Sequence, residues 1–246
     1  MKIVVVGGTG RIGSQVVTLL QDRGHEAVAA APSTGVDTLT GEGLTEVLKG
    51  ADVVVDVANS PSFEKEAALD FFTRAMRNLT AAEREAGVRH HVALSIIGVD
   101  EVPGLGYYLA KVAQEEAVRG SGVPFSIVRV GQFFEFVAPV MDLTTQGQEV
   151  RLPSTQLRPI AAADVAAVVA ETALGEPVNG LRLKAGPEVH RLDRLAELTL
   201  AARPDGRTVV TDESAGMFAG IPDGVLTGDD TVDTAATRYE DWLRRN

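Results

Sequence analysis

Three side chains in the middle of the chain, Ser95, Tyr107 and Lys111, have types and spacings suited to proton transfer. Lys111 follows Tyr107 by four positions inside a segment of helical period, 106–119, so phenol and ammonium share one helical face. A cation beside a phenol favours the phenolate and lowers its pKa toward neutrality, which suits general acid–base work. Tyr108, three residues before Lys111, is an alternative acid, and the spacing favours Tyr107. Ser95 ends the run His91-Val92-Ala93-Leu94, which predicts a place near the carboxyl end of a parallel strand, where open α/β sheets bind ligands. Taken alone, a Tyr-x-x-x-Lys pair is an ordinary surface feature of helices. Its weight comes from what precedes it.

That is the run Val4-Val5-Val6-Gly7-Gly8-Thr9-Gly10-Arg11-Ile12-Gly13, which passes from an apolar strand into a helix with Val16, Val17 and Leu20 on its inward side. Gly8, Gly10 and Gly13 fit G-x-G-x-x-G, and Gly7, Gly10 and Gly13 fit G-x-x-G-x-x-G. Either register gives a tight turn, backbone close enough for a pyrophosphate on the positive helix end, and close helix-to-strand packing. Strand before and helix after is the context this motif requires, so Gly7 to Gly13 are read as a dinucleotide-binding turn. No acidic residue stands about twenty positions further on to hold the ribose of NAD. The second strand instead runs into Pro32-Ser33-Thr34-Gly35, which leaves room for a 2′-phosphate, with Ser33 and Thr34 as donors and Arg11 as counter-charge. The reading therefore favours NADP (NADPH) over NAD, against an ordinary polar turn at Ser33 and Thr34.

Short β-branched runs alternate with helical periods, the pattern of β–α units around a buried parallel sheet. Strands are predicted over 2–7, 26–31, 52–58, 91–97 and 125–130, and helices over 11–23, 42–49, 64–86 and 106–119, several ending at a glycine. Segment 32–41 is too short for the usual helix and strand and reads as loop. Beyond Val130 come a strand at 149–152, a helix at 164–174 capped by Asp164, a strand at 181–184, and helices at 191–202 and 231–245. The organisation predicted is one α/β domain over 1–246, a Rossmann-type doubly wound parallel sheet. Its core would be 1–130 plus 158–180, and 131–157 with 181–246 would form a small C-terminal lobe covering the substrate.

Composition excludes several classes. The net charge of −11, without a basic block, opposes contact with nucleic acid. There is no Cys, hence no disulfide or thiolate chemistry, and the four His show no metal-ligand spacing. Four apolar residues after Lys2 are far short of a signal or membrane segment, which predicts a cytoplasmic protein with no membrane association.

With these motifs in view, the chain resembles the short-chain dehydrogenase/reductase superfamily in its atypical, NmrA-like and quinone-reductase-like branch. The resemblance rests on residues 7–13, Asp-Val-Val-Val-Asp-Val (52–57), 86–95, Tyr-Tyr-Leu-Ala-Lys (107–111), 122–129 and Arg-Pro-Ile-Ala-Ala-Ala-Asp-Val-Ala (158–166). It implies NADPH-dependent reduction of a quinone, ketone or related carbonyl. Ser95 would orient the carbonyl, Tyr107 would give the proton, and Lys111 would hold the nicotinamide ribose and tune Tyr107. It also implies cofactor contacts at Asn59 and Val130, and a substrate side at Gln132 and Phe133 suited to a flat, weakly polar molecule, with Phe134 or Phe136 as core. Exposed helices 64–86 and 106–119 would pair in a homo-oligomer. The Asn of the usual proton relay is missing, with Phe71 and Phe72 in its region, and Asn78 reads as structural. A cofactor-sensing regulator without turnover and an epimerase or isomerase with tightly held cofactor are the rival readings.

Overall fold

A computed structural model describes all residues, 1–246. In chain order the elements are β1 (Lys2–Val6), α1 (Arg11–Asp22), β2 (Glu26–Ala30), α2 (Leu44–Leu48), β3 (Val53–Asp56), α3 (Lys65–Ala86), β4 (His90–Ile96), α4 (Gly106–Arg119) and β5 (Phe125–Val130). There follow α5 (Val137–Thr144), β6 (Thr145–Gln146), β7 (Glu149–Leu152), β8 (Gln156–Leu157), α6 (Ala162–Leu174), β9 (Gly180–Ala185), β10 (His190–Arg191), α7 (Leu192–Ala202), β11 (Thr208–Thr211), β12 (Asp233–Thr234) and α8 (Tyr239–Arg245). The predicted elements are present, most of them trimmed at their ends. No helix is long and apolar enough to cross a membrane.

The chain divides into two compact units, Met1–Arg129 with Val165–Arg182, and Val130–Asp164 with Leu183–Asn246. In the first, the sheet order is β5-β4-β3-β1-β2, and β1 pairs in parallel with both β2 and β3. This is a Rossmann-like α/β arrangement lacking one outer strand. Segment 32–41 explains the difference: Pro32–Thr34 form a single 3-10 turn closed by Gly35 in a left-handed conformation, and α2 follows without a further strand. Asn78 pins that loop by donating to the carbonyls of Thr38 and Leu39, the structural role expected of it. Strand addition switches sides at β1, with β2 on one side of it and β3 then β4 on the other. Right-handed crossovers therefore put α1 and α3 on opposite faces and leave a crevice at the carboxyl ends of β1 and β3.

The reason these strands lie at the centre is visible in their burial. Ile3, Val4, Val5, Val54 and Val55 have no exposed surface, as a strand covered on both faces requires. Val4, Val6 and Val54 meet Leu44, Leu48, Met76 and Leu79 in one apolar cluster, while Phe72 packs with Ala68 and Ala110 between α3 and α4. Each fully buried side chain of this size contributes about 1.5–3 kcal/mol. Val17, expected on the inner side of α1, is half-buried.

In the second unit β7 pairs with β6 and β11, β9 with β12, and β8 with β10. Phe134 is buried against Tyr239 and Trp242 at ring separations of 5.0 and 5.7 Å, the core position foreseen for it. Asp164 does not cap α6, because the helix begins two residues earlier. The carboxylate of Glu135 instead accepts the Ala162 N–H at 3.1 Å.

The adjacent histidines of β4 point to different partners, as alternation along a strand requires. His90 Nε2 lies 2.9 Å from Ser126 Oγ, and His91 Nδ1 lies 2.6 Å from Glu83 Oε1 in a fully buried pair. Burial and the neighbouring His91 hold His90 down at about 4. Burial also acts to lower His91, but the charge and hydrogen bond of Glu83, with Asp56 behind, keep it above its ordinary value. The two signs oppose each other. An unfolded histidine takes a proton near pH 6.5, so His90 withdraws stability as pH falls from about 6.5 toward 4. His91 supplies stability that is complete below about pH 6.5 and lost as pH rises through its higher folded value. Urea unfolding across pH should show the acid-side loss shrink in His90→Gln and the neutral-side loss shrink in Glu83→Gln.

Candidate functional site

The glycine turn owes its composition to close approaches on every side. A Cβ on Gly13 would stand 2.2 Å from the Gly7 carbonyl oxygen, and one on Gly8 would stand 2.7 Å from Ala29 Cα. Gly7 has φ +76, and a Cβ there would lie 2.8 Å from Ala58 N, so the turn sits directly against the segment leaving β3. Gly10 is different: it is exposed, and a Cβ there would meet only the Gly7 oxygen, at 3.2 Å. It is the N-cap of α1, with no side-chain cap and no acidic residue in the first turn. The first N–H groups of α1 therefore carry the positive end of the helix with no built-in anion. Thr9 and Arg11 are exposed beside it, Ile12 is buried, and the Arg11 guanidinium makes no ion pair.

Thr34, read as a phosphate donor, is engaged locally. Its hydroxyl accepts the Ala31 N–H at 2.9 Å and directs its own proton to the Ala31 or Ala29 carbonyl, so it closes the turn at the end of β2. Ser33 remains exposed.

Opposite the turn, Tyr107 is half-buried and donates to Asn59 Oδ1 at 2.6 Å. Phe63, 48% exposed, meets the edge of the same ring at 5.1 Å, so an apolar surface is presented beside the phenol. Tyr108 is buried, which separates the two candidate acids by access to solvent. The expected lowering of the Tyr107 pKa is not found. Burial, then Tyr108, push the phenol above its ordinary value, and the Asn59 hydrogen bond recovers only part of that.

The reason is that Lys111 is turned away from Tyr107. It is buried, donates to the Leu94 carbonyl at 2.7 Å and to Gln114 Oε1, and lies 4.8 Å over the Phe72 ring. Burial brings its pKa down to about 8 against the pull of Asp56 and Glu115. Gln114 Nε2 in turn donates to Asp56 Oδ2 at 2.7 Å.

Ser95 lies near the carboxyl end of β4, as expected, but it is buried and its hydroxyl is already engaged. Its hydroxyl donates to Glu115 Oε1 at 2.5 Å, and Glu115 is gripped by Arg129 through Nε and Nη2, each at 2.8 Å, and by Arg119. Arg129 reaches on to Asp100. Ser95, Tyr107 and Lys111 thus have separate partners and make no hydrogen bond to one another. Asp56, Gln114, Glu115 and Arg129 were not singled out from the sequence. Asp56 had a usable signal, an acid closing the apolar run 53–55. In the second unit, Val130 is buried at the end of β5, Gln132 and Phe133 are half-buried, and Phe133 and Phe134 dock on Ile160 through backbone pairing.

Residues 7–176, more than half of the chain, match the NAD(P)H-binding family, and the chain belongs to it. This agrees with the short-chain dehydrogenase-like branch that the motifs resemble. It is 30% identical over 239 residues to the NAD(P)H azoreductase of Xenophilus azovorans, covering 87% of this chain and 78% of that one. Over 144 residues it is 32% identical to the (4-alkanoyl-5-oxo-2,5-dihydrofuran-3-yl)methyl phosphate reductase of Streptomyces griseus, covering 53% of this chain and 48% of that one. The chain spans about half the length of several curated relatives it matches, from 48% to 50%. Its fold is that of the NADPH-dependent quinone oxidoreductase of Escherichia coli solved with NADPH, at TM-score 0.74 and 19% identity over 99% of both chains.

Two substitutions test this geometry. Gly13→Ala should cost more than about 1 kcal/mol in denaturant unfolding and abolish nucleotide binding, since its methyl has no space beside the Gly7 oxygen. Ser95→Ala should lower unfolding stability by about 1–3 kcal/mol, the range for removing one partner of a buried charged acceptor.

Proposed function

We propose that the chain is an NADPH-dependent reductase of a flat, weakly polar carbonyl or quinone compound, with Tyr107 as the proton donor. The observation that carries this reading is the Tyr107 phenol. It is held by Asn59, next to Ala58, and the Ala58 backbone forms the wall of the glycine turn.

The turn suits a nicotinamide dinucleotide on its own geometry. A cradle too tight for any Cβ at Gly7, Gly8 and Gly13 is followed by an uncapped helix start at Gly10. Gly7 to Gly13 would hold the pyrophosphate. The exposed Ser33 and the unpaired Arg11 favour the 2′-phosphate of NADPH over NADH, and Thr34 would support that corner only as its turn closure. Bound there, the reduced nucleotide supplies hydride. Reduction of a carbonyl then needs one proton at the forming alkoxide, which the protonated Tyr107 would give; burial makes the free phenol a weaker acid, so the donation calls for stabilisation of the phenolate by its neighbours. Asn59 fixes the direction of the phenol. Lys111 spends two of its three ammonium protons on the Leu94 carbonyl and Gln114 Oε1; the third would hold the ribose, and its charge would steady the phenolate. The exposed Phe63 ring beside Tyr107 suits an aromatic acceptor.

A regulator that binds the nucleotide without turnover is favoured by a different observation: Ser95 and Lys111 are committed to Glu115 and Gln114 rather than gathered at Tyr107. Oxidation of NADPH and NADH against a panel of quinones, aromatic ketones and azo compounds separates the readings. The reductase predicts turnover preferring NADPH, lowered about 10²- to 10⁴-fold in Tyr107→Phe with nucleotide affinity unchanged. Nucleotide binding without reduction of any panel member favours the regulator, and unchanged turnover in Tyr107→Phe removes Tyr107 as the acid.

A further inference from the structure

The site contains a buried carboxylate that the reading above leaves without a task. Asp56 is the last residue of β3, is 4% exposed, and stands in register with Val6 at the carboxyl end of β1 and with Ala93 in the middle of β4. A carboxylate withdrawn from water must find donors, and the two that Asp56 takes are informative. Oδ1 accepts the Ala58 N–H at 3.1 Å, and Oδ2 accepts Gln114 Nε2 at 2.7 Å. Gln114 is 2% exposed, and the orientation of its amide is forced. Lys111 is only a donor and the carboxylate only an acceptor, so Gln114 must turn Oε1 to the ammonium and NH₂ to Asp56. Three residues after Lys111 on α4, Gln114 lies one turn along the same face.

We propose that Asp56 is the positioning residue of this site: through Gln114 it fixes Lys111, and through the Ala58 N–H it fixes the 58–59 segment that orients Tyr107. The inference rests on the assignment of Tyr107 and Lys111 to reduction. Its geometry joins three things that otherwise lie apart, since Ala58 also abuts Gly7. Shortening or turning the Asp56 side chain would move the lysine, the phenol and the wall of the glycine turn together.

The groups facing Lys111 are few. They are Asp56 from β3, the Leu94 carbonyl from β4, Gln114 and Glu115 from α4, and the Phe72 ring from α3. Asp56 also faces His91, whose other partner is Glu83. His91 titrates on both sides of the comparison and is unchanged in the variants proposed.

The test reads Lys111 itself, in the full chain without nucleotide, by NMR of its labelled Cε across pH. The wild-type midpoint is expected at about 8. Asp56→Asn keeps the shape and removes the charge, and should lower the midpoint by about one pH unit. Asp56→Asn combined with Gln114→Glu reverses the donor and acceptor of the 56–114 hydrogen bond, brings the anion to the ammonium and should raise the midpoint by a similar amount, a direction that loosened packing would not produce. A midpoint that stays put in folded variants overturns the coupling, whether or not the chain oxidises NADPH. In turnover, the pH limb belonging to Lys111 should move by the same shift in the Asp56→Asn, Gln114→Glu double variant. If the NMR midpoint moves and the rate profile does not, Asp56 and Gln114 are packing groups with no part in the reaction. If the wild type reduces nothing, the reductase assignment fails while the titration still reports on the coupling.

Discussion

A carboxylate buried where two neighbouring parallel strands end imposes order on everything near it, because each of its oxygens must accept a hydrogen bond or the strand end is left with an uncompensated charge. Asp56 meets this demand with one backbone N–H and one amide from α4. The first fixes the exit of β3 against the glycine turn, and the second fixes the rotation of α4, on which Tyr107 and Lys111 ride. The crevice between β1 and β3 is therefore defined by a polar constraint as well as by the Val-rich strands on either side of it.

The chemistry of the candidate site follows from what that constraint does to two ionisable groups. Lys111 is drawn under the helix toward Gln114 and the Leu94 carbonyl, and it makes no hydrogen bond to the phenol. Tyr107 is left beside Phe63 and Phe72, in surroundings that favour its neutral form. The same burial makes the phenol a weaker acid than a solvated one, so the role proposed for Tyr107 depends on what stabilises its anion.

A second buried network, Ser95–Glu115–Arg129–Asp100, lies on the same helix and strand and has a different character. Glu115 accepts from a hydroxyl and two guanidinium groups, and these donors hold its pKa below the ordinary value in spite of burial. Breaking it by removing a single partner would leave a charge buried without compensation, which makes it a rigid tie between α4, β4 and β5. The same rigidity makes Ser95 a poor donor to a passing ligand, since its proton is already held by a carboxylate.

Much of this was legible in the chain before folding. Strand–glycine–helix at the amino terminus is a local message, because the clashes that forbid a Cβ at Gly8 and Gly13 arise within about twenty residues of sequence. The β–α alternation and the helix over 106–119 were equally readable from period and spacing, while the structural role of Asn78 and a core place for Phe134 or Phe136 came from the resemblance. What sequence could not carry is where a side chain spends its hydrogen bonds. Lys111 four positions after Tyr107 defines a shared helical face, but whether the ammonium turns to the phenol or to Gln114 depends on Asp56, which lies over fifty residues away. Ser95 at a strand end is a local fact, while its bond to Glu115 depends on how β4 meets α4. Local sequence determined the elements, the turn and the family. Tertiary structure decided the protonation and aim of the polar groups, because burial and pairing are set by neighbours that only folding brings within reach.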